Sequence, residues 1–271
     1  MDRNAPIGVF DSGIGGVTLL HQAMITLPQE KYIFYADVDH VPYGTKSSQQ
    51  VLGFVDEVMQ FMIQHNCKAV VIACNTATSV AAEEMRRKYS IPIIGIEPAV
   101  KPAVQESGGR RVLVVATPLA VQEKKLKNLV KRVDESHLVD MLALPKLVEF
   151  AERGEFASEM VRQYLEELLS SYDLDKYGEL VLGCTHFNYF KDTFRKLLPD
   201  QVKILDGSAG TIRQLARVLG ERGALEEAPP CNMDNTPTVQ YFLSGRELVN
   251  PEDLERMQRL HQRLEEMRHI L

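Results

Sequence analysis

The chain has 271 residues, 45% hydrophobic and 25% charged, which suits a soluble protein with one large or two small domains and a core of its own. Acids outnumber bases 37 to 31, for a net charge of -6, so the chain has no basic footprint for nucleic acid; no run approaches the roughly 18 apolar residues of a membrane span. Four cysteines (Cys67, Cys74, Cys184, Cys231) without a CxxC pair make no disulfide framework, and MDRNAPIGVFD at the N-terminus has no signal core, so the chain reads as cytoplasmic with reduced thiols.

Strands alternate with helices along the chain, the pattern of an α/β protein whose parallel sheet is covered on both faces. The first unit is IGVFD (7–11), a glycine-rich turn, a helix over about 16–27, Pro28, and YIFYAD (32–37). After HVPYGTK, Ser47 and Gln50 form a capping box for a helix whose apolar positions, Val51, Phe54, Val55, Val58, Phe61 and Met62, follow the 3.6 period. Next come AVVIA (69–73), Cys74, a helix through about Tyr89, and the strand PIIGIE (92–97). KPAVQESGGRR (101–111) reads as a boundary, and RVLVVAT (111–117) restarts the same grammar. Near the end, Asn250, Pro251 and Asp253 fit N-cap, N1 and N3 of a last helix with an apolar stripe of Leu254, Met257, Leu260, Leu264, Met267 and Leu271, a core or subunit contact rather than a site.

Two segments repeat this grammar around a thiol. VVIACNTATS (70–79) and ELVLGCTHF (179–187) each run from an apolar strand into a cysteine and a polar turn; an acid ends the next strand 23 positions after Cys74 (Glu97) and 22 after Cys184 (Asp206). Upstream, Asp11 ends a strand 63 positions before Cys74, and Thr117 ends one 67 before Cys184. The expectation is two similar parallel-sheet α/β domains related by a pseudo-twofold axis, with both thiols in the cleft between them, at the carboxyl ends of the strands.

Several chemistries use such thiols. Cys184 with His186 two residues on suggests acyl transfer, yet i and i+2 side chains need not touch and Cys74 is left idle. Cys74, Cys184, His186 and Asp11 are competent metal ligands, but the tight spacings of structural zinc sites are missing. A disulfide switch is weak without CxxC. Thiols on opposite faces of a stereocentre can instead remove a proton from one side and return one from the other. A thiol of pKa near 8.5 is only about 3% ionised at neutral pH and needs help, which a helix start or a neighbouring charge supplies; both thiols are expected to begin helices. CNTAT (74–78) and CTH (184–186) also offer hydroxyls, an amide and free N–H groups to a carboxylate, although each alone reads as an ordinary N-cap.

DSGIGG (11–16), with Asp37 closing the second strand, imitates a dinucleotide fingerprint. The imitation is imperfect: Thr18 stands at the third glycine position, and Asp11 would sit beside pyrophosphate. A nicotinamide-dependent enzyme and a non-catalytic amino-acid-binding protein are the alternatives from other classes, and the paired thiols argue against both.

GVFDSGIGG (8–16), VPYGTKS (41–47), IACNTAT (72–78), GIEPAVKPA (95–103) and LGCTHF (182–187), in this order and spacing, resemble the glutamate racemases, which make D-glutamate for bacterial peptidoglycan without a cofactor. The resemblance implies one domain from residues 1–97 with 207–271 and a second from 98–206. It implies Cys74 as the base for D-glutamate and Cys184 as the base for L-glutamate, with Asp11 assisting Cys74 and His186 assisting Cys184. Substrate contacts are implied at Asp11, Ser12, Pro42, Tyr43, Gly44, Asn75, Thr76, Thr117, Thr185 and His186, and supporting acids at Asp37 and Glu152. No cofactor or metal is implied; glutamate is the small-molecule substrate, and a homodimer is common in the family. The chain departs from the pattern at His40, where arginine is usual, at Leu144 and Glu149, and at Ala120, where a second threonine is usual. The missing Ala120 hydroxyl leaves glutamate against aspartate less firmly fixed than racemisation, and aspartate racemase is the nearest alternative.

Overall fold

The computed structural model describes residues 2–226 and 237–271; Cys231 lies outside them. The first half runs β1 (Ile7–Asp11), a 3-10 turn (Ile14–Gly16), α1 (Val17–Thr26), β2 (Tyr32–Ala36), α2 (Ser48–Gln64), β3 (Ala69–Ile72), α3 (Asn75–Lys88), β4 (Ile93–Gly95) and α4 (Val100–Glu106). It continues with β5 (Arg111–Ala116), α5 (Pro118–Gln122), α6 (Lys124–Val133), β6 (Val139–Ala143), α7 (Leu147–Glu152), α8 (Glu159–Leu169) and β7 (Tyr177–Leu182). A 3-10 segment (Thr185–Phe190), α9 (Lys191–Leu197), β8 (Lys203–Asp206), α10 (Ser208–Glu221), β9 (Val239–Leu243), β10 (Arg246–Glu247) and α11 (Pro251–Met267) complete it.

The strands form two sheets, ordered β10-β9-β2-β1-β3-β4 and β6-β5-β7-β8. All pairings are parallel except β9 with β10. The four strands β2-β1-β3-β4 repeat, in the same relative order, as β6-β5-β7-β8, so the duplication expected from the cysteine spacing is present in the topology. Register decides what this does for the site. Phe10 pairs with Ile72, and Val115 with Leu182, so Asp11 and Cys74 leave one carboxyl edge while Thr117 and Cys184 leave the other.

Strands buried on both faces need apolar residues at every position, which is why they read as unbroken runs. Val70 and Ile72 pack under α2 and α3 with Val55, Met59 and Met85, while Ala69 and Val71 face a core containing Leu20 of α1, Leu215 of α10 and Leu260 of α11. That second core continues into the other sheet through Leu113, Val115, Leu180 and Phe187. Each such side chain, fully buried, contributes roughly 1.5–3 kcal/mol. One apolar core therefore holds the two lobes together behind the thiols.

Helix ends follow the sequence signals. Ser47 and Gln50 make the capping box of α2, and Asn250 accepts from Asp253 N at the start of α11, a cap whose loss costs about 1 kcal/mol. Other expectations change. Most of 101–111 is helical as α4, and the turn is confined to Gly108 and Gly109, both at positive φ. Phe54 and Phe61 are half-buried while Met59 is buried, because the contact face of α2 is turned toward α3. Helix α11 stops at Met267, so Leu271 is 69% exposed rather than part of the stripe. The β9–β10 hairpin, unforeseen in the sequence, turns on Ser244 and Gly245, both at positive φ as a two-residue hairpin loop requires. Among the described residues no helix is long and apolar enough to cross a membrane.

Candidate active site

Strand β3 ends two residues before Cys74, which caps α3: its Sγ accepts from Ala77 N at 3.4 Å and lies 3.5 Å from Ser12 Oγ. Asp11, at the end of β1, is fully buried. Its Oδ1 accepts from Ser12 N (2.6 Å) and Ser12 Oγ (3.1 Å), and its Oδ2 from Thr185 Oγ1 of the other lobe (2.7 Å). Burial pushes the Asp11 carboxyl above its ordinary range, opposed by His186 and by the hydrogen bonds of Thr185 and Ser12. Burial also drives the Cys74 thiol far up; Asp11 adds to this, Ala77 N–H and Ser12 oppose it, and nearby Cys184 raises it slightly more. As it stands, this thiol is protonated.

Cys184 is placed differently. It leads not into an α-helix, as expected, but into the 3-10 segment, and its sulfur makes no cap bond. The tighter turn brings His186 Nδ1 to 3.8 Å from Cys184 Sγ, so the i and i+2 side chains do meet. His186 Nε2 lies 2.7 Å from Glu152 Oε1, at the end of α7, and that oxygen also accepts from Ile14 N at 2.8 Å. Burial pulls the His186 imidazole down, yet the bonds to Cys184 and Glu152 outweigh it and hold the ring well above its ordinary value, charged.

The glycine turn is shaped by these partners. A Cβ on Gly13 would overlap the Glu152 carboxylate, and one on Gly15 would overlap the His186 ring, whose Nε2 lies 3.2 Å from Gly15 N. Close approach of backbone to side chain accounts for the glycines that imitate a dinucleotide loop. Thr18, at the third glycine position of that fingerprint, donates its hydroxyl to Thr185 O at 3.1 Å.

Around the thiols, Tyr43 OH donates to Asp37 Oδ2 (2.6 Å), whose carboxylate also meets His40 Nδ1 (2.9 Å) and Ser244 Oγ (3.1 Å). Burial, then Asp37, pushes the Tyr43 phenol up, so it stays a donor. Gly44 abuts the other lobe, where an added Cβ would lie 2.7 Å from Thr117 Cβ; Pro42 beside it is half-buried. Thr76 and Thr117 hydroxyls meet across the lobes at 2.9 Å, and Thr117 Oγ1 also accepts from Ala120 N at 3.3 Å. Asn75 is buried with neither side-chain amide atom partnered, a desolvation cost that a polar ligand would offset. Among the described residues no three His, Cys, Asp or Glu side chains are grouped to hold a metal ion. A cavity of about 1040 Å³ opens away from the thiols, beside Pro98, Lys101 and Arg213; Cys74 and Cys184 are themselves only 6% exposed.

The structure thus brings Cys74, Ser12, Asp11, Thr185, Cys184, His186 and Glu152 into one chain of contacts across the lobes, with Asn75, Thr76 and Thr117 beside it. Asp37 stands behind Tyr43. Thr18, Ser244 and Tyr189, whose hydroxyl donates to Ile14 O at 2.9 Å, were not singled out in the sequence. Thr18 carried a signal, as the residue that spoils the dinucleotide pattern; Ser244 and Tyr189 carried none.

Known proteins resemble this chain over most of its length. The Asp/Glu/Hydantoin racemase family matches residues 18–215. The glutamate racemase of Lachnospira eligens is 49% identical over 266 residues, covering 97% of this chain and 99% of that protein. Glutamate racemase 2 of Bacillus subtilis is 48% identical over 262 residues, 96% of each chain. Among solved structures, glutamate racemase from Francisella tularensis in complex with D-glutamate superimposes with a TM-score of 0.80 at 28% identity, over 96% of this chain and 94% of that one.

Proposed function

The chain belongs to the Asp/Glu/Hydantoin racemase family and is an amino-acid racemase, and from this premise we propose that it interconverts L- and D-glutamate by two-base proton transfer between Cys74 and Cys184. The observation that carries the reading is the pair of thiols on equivalent strand ends of the two sheets, linked through Ser12, Asp11 and Thr185. In one direction Cys184 as thiolate takes the α-proton of L-glutamate, the C–H pair stays on the α-carbon, and Cys74 delivers its proton to the opposite face. The reverse direction exchanges these roles.

Asp11 assists Cys74 and the substrate ammonium; His186, held charged, stabilises the Cys184 thiolate before abstraction. Ser12, Asn75, Thr76, Thr117 and Thr185, with Pro42, Tyr43 and Gly44 closing over them, supply donors for the substrate carboxylates. Fixed donors in a dry site stabilise developing carbanion charge without reorganising. Asp37 fixes Tyr43, and Glu152 fixes His186. Supporting a division into domains 1–97 with 207–271 and 98–206 is the membership of the two sheets. The family reading carries with it a cytoplasmic homodimer that supplies D-glutamate to the cell wall.

Incubation of either enantiomer in D₂O tests this: deuterium enters the α-position and optical rotation decays to zero. No exchange with saturable binding would mean a binding protein. One observation favours comparing aspartate in the same assay: Ala120 brings no hydroxyl, leaving Thr117 alone to serve both Thr76 and the turn.

A further inference from the structure

We propose that Arg263, on the C-terminal helix, is a positioning residue for proton transfer at Cys184, acting through Tyr189; this rests on the two-thiol reading above. Helix α11 is anchored on the first lobe. Met257, Leu260 and Leu264 are buried, His21 Nε2 of α1 lies 3.0 Å from Glu265 Oε2, and Tyr241 OH of β9 lies 3.1 Å from His261 Nε2. From there Arg263 reaches the second lobe. Its Nε and Nη2 both donate to Tyr189 O, at 3.2 and 2.9 Å, and Nη2 also reaches Asp192 Oδ1 at 2.7 Å. The side chain is 15% exposed, with its guanidinium 5.9 Å from the centre of the Phe156 ring, which stacks on Tyr189.

Tyr189 is the penultimate residue of the 3-10 segment that begins with Thr185 and His186. Its ring is fully buried and its hydroxyl donates to Ile14 O at 2.9 Å, while Ile14 N donates to the Glu152 oxygen that faces His186. Ile14 is therefore held at both polar atoms, one by Tyr189 and the other by the carboxylate that aims the imidazole at Cys184. Along the path from Arg263 to the thiol, Tyr189, Ile14 and His186 are buried, and Arg263 and Glu152 are only 15% and 17% exposed. Arg263 spans a main-chain oxygen and a carboxylate with a planar fork that lysine cannot reproduce. Cys74 is reached instead through Ser12 and Asp11, off the path from Arg263 through Tyr189, Ile14 and Glu152, so loosening the fork acts first on Cys184.

The test uses full-length Arg263→Lys and Tyr189→Phe, the second losing a single oxygen so that it folds even where the first does not. We expect kcat to fall about ten-fold with KM nearly unchanged, the scale set by a catalytic group displaced by a fraction of an ångström. The deciding readout is the primary isotope effect with α-deuterated substrate in each direction. Slower transfer at Cys184 exposes abstraction from L-glutamate, so that effect rises. From D-glutamate the same defect slows delivery, the intermediate returns to Cys74, and the effect falls. A residue that merely supports the fold lowers the active fraction and leaves both isotope effects alone. A racemising wild type whose variants show unchanged or equally changed isotope effects overturns the proposal alone; a wild type that exchanges no α-proton sinks the two-thiol reading and the proposal with it.

Discussion

The two thiols occupy equivalent places in a duplicated backbone, yet their surroundings share little. Cys74 caps a full α-helix, accepts from Ala77 N–H, lies 3.5 Å from Ser12 Oγ, and has a buried carboxylate, Asp11, for a neighbour. Cys184 begins a 3-10 segment with no cap bond and has an imidazole backed by a carboxylate. Duplication fixed where the sulfurs sit; what each sulfur meets depends on side chains outside the repeat. Negative Asp11 opposes ionisation of Cys74, whereas the neighbour of Cys184 is an imidazole that its contacts with Cys184 and Glu152 hold above its ordinary value.

The largest effect comes from removing one sulfur at a time. Cys74→Ser and Cys184→Ser should each lower racemisation by about 10³-fold, within the range assigned to positioned acid–base groups. They should differ in what remains: Cys74→Ser still exchanges the α-proton of L-glutamate with retention, and Cys184→Ser that of D-glutamate, read by NMR in D₂O. If both variants lose the same exchange, the thiols do not face opposite sides of one carbon. The assistants should follow the same asymmetry. His186→Asn, which discharges the neighbour of Cys184, should cost about 10²-fold in kcat, and Ser12→Ala less than about ten-fold, because Cys74 keeps Ala77 N–H and the lost bond is worth only about 1 kcal/mol.

How much of this was legible in the sequence follows the same line. The strands were, because burial on both faces leaves unbroken runs such as AVVIA, and so were the caps at Ser47 and Asn250, which are local. The matched positions of Cys74 and Cys184 were visible as spacing. The contact of His186 with Cys184 was not, since it depends on a 3-10 rather than an α turn, which nothing in THFNYF announces. Strand β9 was missed because it is short and half-exposed and earns its place by pairing with β2, about two hundred residues earlier. Glu152 and Asp37 were named through family resemblance, while their reason for being there, to aim His186 and to hold Tyr43, exists only in three dimensions.

A smaller effect sharpens the comparison through pH. Glu152 is among the groups that hold His186 above its ordinary value. Removing its charge by Glu152→Gln lets the imidazole lose its proton at lower pH, so the alkaline limb of kcat/KM should move down by about one unit while the acid limb stays. The groups acting on Cys74 are Asp11, Ala77 N–H, Ser12 and Cys184, none of them a cation, so Ser12→Ala should leave that limb in place. Equal displacement in both variants would mean that the limb belongs to a group other than His186.

The smallest effect concerns the bond that joins the two halves. Thr185 Oγ1 donates to Asp11 Oδ2 across the lobes at 2.7 Å, so the residue following one thiol stabilises the carboxylate beside the other. Thr185→Val keeps the shape and removes the donor, and a buried carboxylate that loses one hydrogen bond is disfavoured by about 1–3 kcal/mol. Burial already pushes Asp11 up and Thr185 opposes it, so the variant's carboxyl rises further and the acid limb of kcat/KM moves to higher pH, the opposite limb from Glu152→Gln. Above that limb KM should rise a few-fold, about 1 kcal/mol of lost substrate binding, equally for both enantiomers, because the bond serves the closed cleft rather than either sulfur. A change confined to the alkaline limb would assign Thr185 to the Cys184 half alone and leave the two lobes without this electrostatic link.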